Sequence, residues 1–98
     1  MPSKAKNSDI AAIKNALKPK FAEVKAYRYN SASIRVRIID GRFGGHSRPE
    51  REELILPLLE QLPEDVQSDI TMLLLLTPDE MSGSLLNLEF EDPSPSML

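Results

Sequence analysis

The chain has 98 residues, 41% of them hydrophobic and 28% charged, which suffices for one packed domain with a modest core but not for two. It contains no cysteine, which excludes disulfide staples, thiolate metal sites and thiol nucleophiles together. The net charge of -3 conceals a division: residues 1–51 carry all 12 Lys and Arg against four acids, whereas residues 52–98 carry eleven acids and no base. Such a split points either to a nucleic-acid face or to two halves that neutralise each other across one domain, and the second is the simpler expectation. The longest apolar run, Met72 to Leu76, cannot cross a bilayer, and residues 1–20 are too interrupted for a secretory signal. A cytoplasmic protein is expected.

In chain order, residues 1–7 are polar and expected to be flexible. Ser8 is placed to cap a first helix over about 9–18, in which Ile10, Ile13 and Leu17 form one stripe before Pro19 stops it. Residues 22–29 and 32–39 predict two strands joined by a tight turn at Asn30-Ser31, hence a hairpin. In the second strand Ile34, Val36 and Ile38 point one way while Ser33, Arg35 and Arg37 point the other. One sheet face is therefore buried and the other polar.

A glycine-rich connection from Asp40 to His46 leads into Ser47-Arg48-Pro49-Glu50, which has capping-box spacing. The helix it starts carries Leu54, Ile55, Leu58, Leu59 and Leu62, and Pro57 inside it should kink it at a cost of ~3 kcal/mol. Residues 62–66 predict a short helical turn. The third strand, Ile70 to Leu76, is apolar on both faces and needs cover on both. Thr77-Pro78-Asp79-Glu80 ends it and opens a last helical turn. Beyond, Leu86, Leu88 and Phe90 alternate, as expected of a segment that folds over the open sheet face or adds an edge strand, shielding Leu73 and Leu75. Residues 8–80 thus form a single domain, and residues 81–98 an acidic tail with Pro and Ser that packs on the sheet or hangs free.

Few residues carry chemistry. His46 is the sole histidine, and one imidazole without cysteine supplies a single ligand. As a general base it needs an orienting carboxylate, for which Asp40 is nearest in sequence; a solvent-exposed loop histidine is the plainer expectation. Gly41-Arg42-Phe43-Gly44 has the G-x-x-G spacing of a KH phosphate clamp, but that clamp joins two helices and this loop joins a strand to a helix. Adjacent acids at Glu52-Glu53, Glu64-Asp65 and Asp79-Glu80 point to different helix faces. Nothing here specifies an enzyme. Arg35 and Arg37 beside Lys25, Tyr27 and Tyr29 form a face that can stack bases and neutralise phosphates. The competing arrangement packs those tyrosines and arginine stems beneath the tail, with Glu89, Glu91 and Asp92 pairing to the cations.

The order of elements and several residues resemble the BolA-like family over about residues 8–80. The match lies in the second strand running into Asp40-Gly41-Arg42-Phe43-Gly44-Gly45-His46-Ser47, in Glu50-Arg51 at the helix start, and in Thr77-Pro78-Asp79-Glu80 closing the last strand. The resemblance implies a type II KH-like fold and a protein that pairs with monothiol glutaredoxins around iron–sulfur clusters, or binds DNA. The family's two histidines fall on Glu52 and Asp69 here, and a carboxylate is a poor ligand at such a cluster.

The combined expectation is an α+β domain ordered α-β-β-α-(short α)-β, a three-stranded mixed sheet with helices on one face, plus the tail. Its function is expected to be that of a non-catalytic protein-interaction module without cofactor or metal. Arg35, Arg37, Arg42, His46 and Arg48 form the expected contact surface, and Gly45, Ser47, Glu50 and Arg51 shape the turn and helix start. The alternatives are a weak nucleic-acid binder using the basic half, and a homo-oligomer in which the tail or third strand covers a neighbour's sheet. No membrane association is expected.

Overall fold

The two-faced alternation of the second strand organises the molecule. A computed structural model describes residues 2–96, with side chains from Ser8 onward. The elements are α1 (Pro2–Leu17), β1 (Glu23–Asn30), β2 (Ser33–Ile39), α2 (Arg48–Leu59), α3 (Glu64–Asp69), β3 (Ile70–Leu76) and α4 (Leu85–Glu91), with 3-10 turns at Gly41–Phe43 and Pro78–Glu80. The strands form one sheet in the order β1-β2-β3. β1 and β2 pair antiparallel, β2 and β3 parallel, so the sheet is mixed and the α+β layout is as expected.

One face of the sheet carries Val24, Ala26, Ile34, Val36, Ile38 and Leu75 against Ile13 and Leu17 of α1, Ile55 and Leu59 of α2 and Val66 of α3. Phe43 plugs this layer from the 3-10 turn and is fully buried. The other face has a smaller apolar cluster of Leu74, Leu76 and Phe90, flanked by Tyr27, Met72 and Met81. Pro57 lies within α2, and α3 follows Pro63 with Glu64 and Asp65 at its positive end. Among the described residues, no helix is long and apolar enough to cross a membrane.

Four local expectations change. The first helix starts at Pro2, so Ser8 lies inside it and does not cap it. Residues 4–7 include good helix formers, Lys and Ala, that carry the helix past a serine cap signal. The hairpin turn is Ser31-Ala32, one residue later than expected, because Asn30 still pairs with Ser33 and Tyr29 is bulged out of register. The Asn30 Oδ1 accepts from the Ala32 N–H at 2.8 Å, an Asx turn that fixes this position. The tail folds over the open sheet face, the first of its two expected forms, but it does so as a helix, α4, capped by Ser84, whose Oγ accepts from the Asn87 N–H at 3.0 Å.

The fourth change concerns what the tail covers. Leu73 pairs with Val36 and Leu75 with Ile38, so both share the face of the large core. Leu74 and Leu76, opposite Arg37 and Ile39, are the leucines beneath α4. Phe90 is the anchor at 1% exposure, and its burial contributes about 2–3 kcal/mol. Phe90→Ala should lower the unfolding free energy by about 3 kcal/mol in a urea titration. Leu88→Ala, at a position 61% exposed, should stay within about 0.5 kcal/mol. Equal small effects from the two would show that α4 is not docked in solution.

Candidate functional site

The polar side of β2 is where sequence chemistry concentrates. Its parity sets Arg35 and Arg37 side by side, with Tyr27 of β1 directly across from Arg35 and Lys25 across from Arg37. The Arg37 Nη1 donates to Asn87 Oδ1 at 2.8 Å and to Glu91 Oε2 at 2.7 Å, while its Nη2 donates to Glu23 Oε2 at 3.3 Å. Its guanidinium lies over the Phe90 ring, 4.9 Å from the centroid. At 4% exposure Arg37 is a buried cation, so these partners are required to offset its lost hydration. Its Nε alone finds no acceptor.

Arg35 is arranged in parallel. Its Nη1 donates to the Glu89 carboxylate at 2.8 Å, and the guanidinium stacks 3.6 Å above the Tyr29 ring. The Tyr27 hydroxyl donates to the Phe90 carbonyl at 2.6 Å, and that of Tyr29 to the Ser94 carbonyl. Arg35 beside it, with the Ser94 N–H and hydroxyl, holds the Glu89 carboxyl down at about 2. The sheet face is thus a seat for an acidic helix: an apolar floor, two arginines and two tyrosine hydroxyls.

A second cluster lies at the end of the sheet where β2 leaves for α2. Ser47 and Glu50 close the expected capping box, with the Ser47 N–H donating to Glu50 Oε1 at 2.7 Å. Gly45 has φ of 80°, the left-handed region where any side chain is strained, so glycine is required there. Arg51 is buried and forks onto Glu80 at 2.6 and 2.9 Å, while Nη1 also reaches the Leu75 carbonyl at 2.9 Å and Nε the His46 carbonyl at 3.0 Å. One guanidinium thereby ties the loop, α2, β3 and the 3-10 turn together.

The expected contact residues do not form one surface. Arg35 and Arg37 lie under α4, whereas Arg42, His46 and Arg48 are exposed on the loop end. Arg42 donates to Asp40 through Nε at 3.0 Å and Nη2 at 2.8 Å, and its Nη2 also reaches the Lys20 carbonyl. Arg42, then its N–H and that of Ala22, hold the Asp40 carboxyl well below the carboxylate range. Asp40 is therefore committed to these donors; the carboxylate near His46 is Glu50, at 3.8 Å. Arg48 reaches Glu52 at 3.4 Å, an exposed pair worth little. Among the described residues, no three His, Asp or Glu side chains gather as a metal site.

Two residues escaped the sequence reading. Arg28 donates to both Asp9 and Asp69 at 3.1 Å, joining α1 and the end of α3 to the hairpin. Its signal was parity, since Val24, Ala26 and Arg28 share the core-facing side of β1 and a cation there needs acids. Asn87 comes to Arg37 only once α4 is helical, which alternation hid.

Arg51, then the Thr77 N–H, depress the Glu80 carboxyl from its usual 4.5 to about 2. Because the folded value is depressed, the stability this pair adds is complete above pH 4.5 and is lost as pH falls toward 2. Thermal unfolding followed by circular dichroism from neutral pH downward should show Tm dropping across that window. Glu80→Gln should lower Tm at neutral pH and flatten the acid limb; a limb as steep as that of the parent chain would exclude the Arg51 pair as its source.

No family model, curated protein or solved structure matches the chain.

Proposed function

We propose that this chain is a small, non-catalytic protein-interaction module of the cytoplasm whose sheet face recognises an acidic amphipathic helix. The observation that supports it most directly is the seat of α4. Phe90 fills an apolar floor of Leu74 and Leu76, Arg35 and Arg37 take Glu89 and Glu91, and Asn87 completes the contact with Arg37. A partner helix with one aromatic anchor and flanking carboxylates presents the same chemistry. In the resting chain α4 occupies the seat, so the partner binds by displacing it, and its apparent affinity is lowered by the fraction of chain that is closed. A helix of seven residues is marginal by itself, which suits a displaceable occupant. The resemblance to BolA-like proteins, whose ligands include other proteins, supports the same class of function.

The acidic occupant also weighs against nucleic acid. Glu89 and Glu91 sit on the two arginines that phosphates would need, and α4 covers the tyrosines that bases would stack on.

A fluorescent peptide of residues 84–96, titrated into the full chain and followed by anisotropy, tests this. The parent chain should bind weakly, while Phe90→Ala and Glu91→Lys chains, with a weakened internal occupant, should bind about tenfold tighter or more. Arg35→Glu with Arg37→Glu should abolish binding. Unchanged affinity on weakening the tail would refute the seat as a recognition site. Salt-sensitive capture of a single-stranded oligonucleotide in place of the peptide would return the basic face to nucleic acid.

A further inference from the structure

β1 and β3 are the two edges of the sheet, and they are built differently. β1 carries Glu23, Lys25 and Arg28 and a bulge at Tyr29, the devices by which an edge avoids pairing with another chain. β3 is Ile70-Thr71-Met72-Leu73-Leu74-Leu75-Leu76, with no charge, proline or glycine. The Asp40 N–H donates to the Leu76 carbonyl at 3.0 Å, so Leu76 and Leu74 turn their backbone groups toward β2 and Leu73 and Leu75 turn theirs outward. Arg51 at the Leu75 carbonyl agrees with this parity, and it leaves that oxygen a second lone pair. Among the described residues, no hydrogen bond reaches the outward N–H and C=O of Leu73.

Grooves run along this edge. One, of about 180 Å³, is lined by Leu56, Leu59, Ile70 and Leu73, with Glu60 at the end where β3 begins. The other, of about 340 Å³, is lined by Leu73 to Leu76 and Leu86, with His46 and Arg48 at the end where β3 finishes. Leu56 of α2 and Leu86 of α4 flank the strand at 47% and 45% exposure. The edge is an unprotected strand between two leucine shoulders, acidic at one end and basic at the other.

We propose that the outer edge of β3 is a strand-pairing surface for a second copy of this chain, antiparallel about a two-fold axis near Leu73. A two-fold interface must be complementary to itself. Antiparallel pairing meets that demand, because it sets the Glu60 end of each copy against the Arg48 and His46 end of the other. It also runs the two α2 helices antiparallel, so their dipoles oppose. Leu56 and Leu86 are then covered on both sides of a continuous six-stranded sheet. An edge acidic at one end and basic at the other attracts a peptide of one charge sign at one end and repels it at the other, which favours the second copy. The surface is the sheet's edge and not its arginine-bearing face, but it shares Leu86 of α4 with the seat described above, so the dimer is that of the closed chain with α4 docked.

Sedimentation equilibrium of the full chain over a range of concentrations tests it. The mass should rise toward twice the 11.0 kDa of the chain. Leu56→Glu with Leu86→Glu, both at exposed positions, should abolish the dimer with an unchanged far-ultraviolet spectrum. Arg48, whose internal contact is the exposed one with Glu52, should when reversed to Glu raise the dissociation constant about tenfold. Adding Glu60→Arg to that variant should restore it. A chain monomeric at every concentration, or a dimer indifferent to the paired leucine changes, overturns the proposal. Failure of the second charge reversal to restore dimerisation overturns the antiparallel arrangement. A monomer that instead takes up an apolar strand peptide assigns the edge to another protein.

Discussion

The structure depends on how one sheet face of mixed character is covered. β2 presents Arg35 and Arg37 to the same side on which β3 presents Met72, Leu74 and Leu76. Water would solvate the arginines but not the leucines, and an apolar cover would strand two cations away from water, each at a cost of several kcal/mol. α4 meets both demands at once. Phe90 goes to the leucines and also lies under the Arg37 guanidinium, while Glu89, Glu91 and Asn87 satisfy the donors around it. The tyrosine hydroxyls of β1 then take backbone carbonyls of the tail and fix its path. A purely hydrophobic or purely acidic tail would leave one half of this face unsatisfied.

The other end of the domain is held by a different economy of groups. The turn from β2 to α2 has a capping box, a strained position that glycine relieves, and a buried arginine whose donors reach three segments beyond its own helix. Arg51 works there because the fork of its guanidinium matches the Glu80 carboxylate and still leaves donors for two carbonyls, which a lysine cannot do. Glu80 in turn accepts from the Thr77 N–H, so the end of β3 and the start of α2 are fixed by one shared pair. The side chains of Arg42, His46 and Arg48 stay outside this network, Arg42 held instead by Asp40 and the other two exposed beside Glu50 and Glu52.

Much of the fold was legible in local patterns. The alternation of 34, 36 and 38, the Ser47-Glu50 spacing and the apolar run at 70–76 each follow from periodicity or capping, which depend on neighbours in sequence. The remainder was not local. Leu86, Leu88 and Phe90 alternate like a strand, yet Ser84 caps a helix and two of the three leucine-type contacts that alternation suggested stay exposed. Whether Leu74 or Leu73 lies under the tail depends on the parallel register with β2, and register is a property of two strands together. The core-side role of Arg28 is visible only when its parity with Val24 and Ala26 is combined with the positions of Asp9 and Asp69.

The charge division of the sequence finds its physical meaning in these same contacts. The basic half and the acidic half meet in Arg28 with Asp69, Arg35 with Glu89, Arg37 with Glu91 and Arg51 with Glu80. Each of these arginines is largely buried, and each partner lies more than forty residues away in the acidic half or, for Arg51, at the close of β3. Folding therefore resolves part of the asymmetry along the chain, in these four pairs between its halves. What it sets is topology: a segment rich in acids must return across a strand rich in arginines, and α4 is that return. Lys20, Arg42, His46 and Arg48 stay outside these four pairs, exposed, so the pairing that crosses the halves is carried by the buried arginines alone.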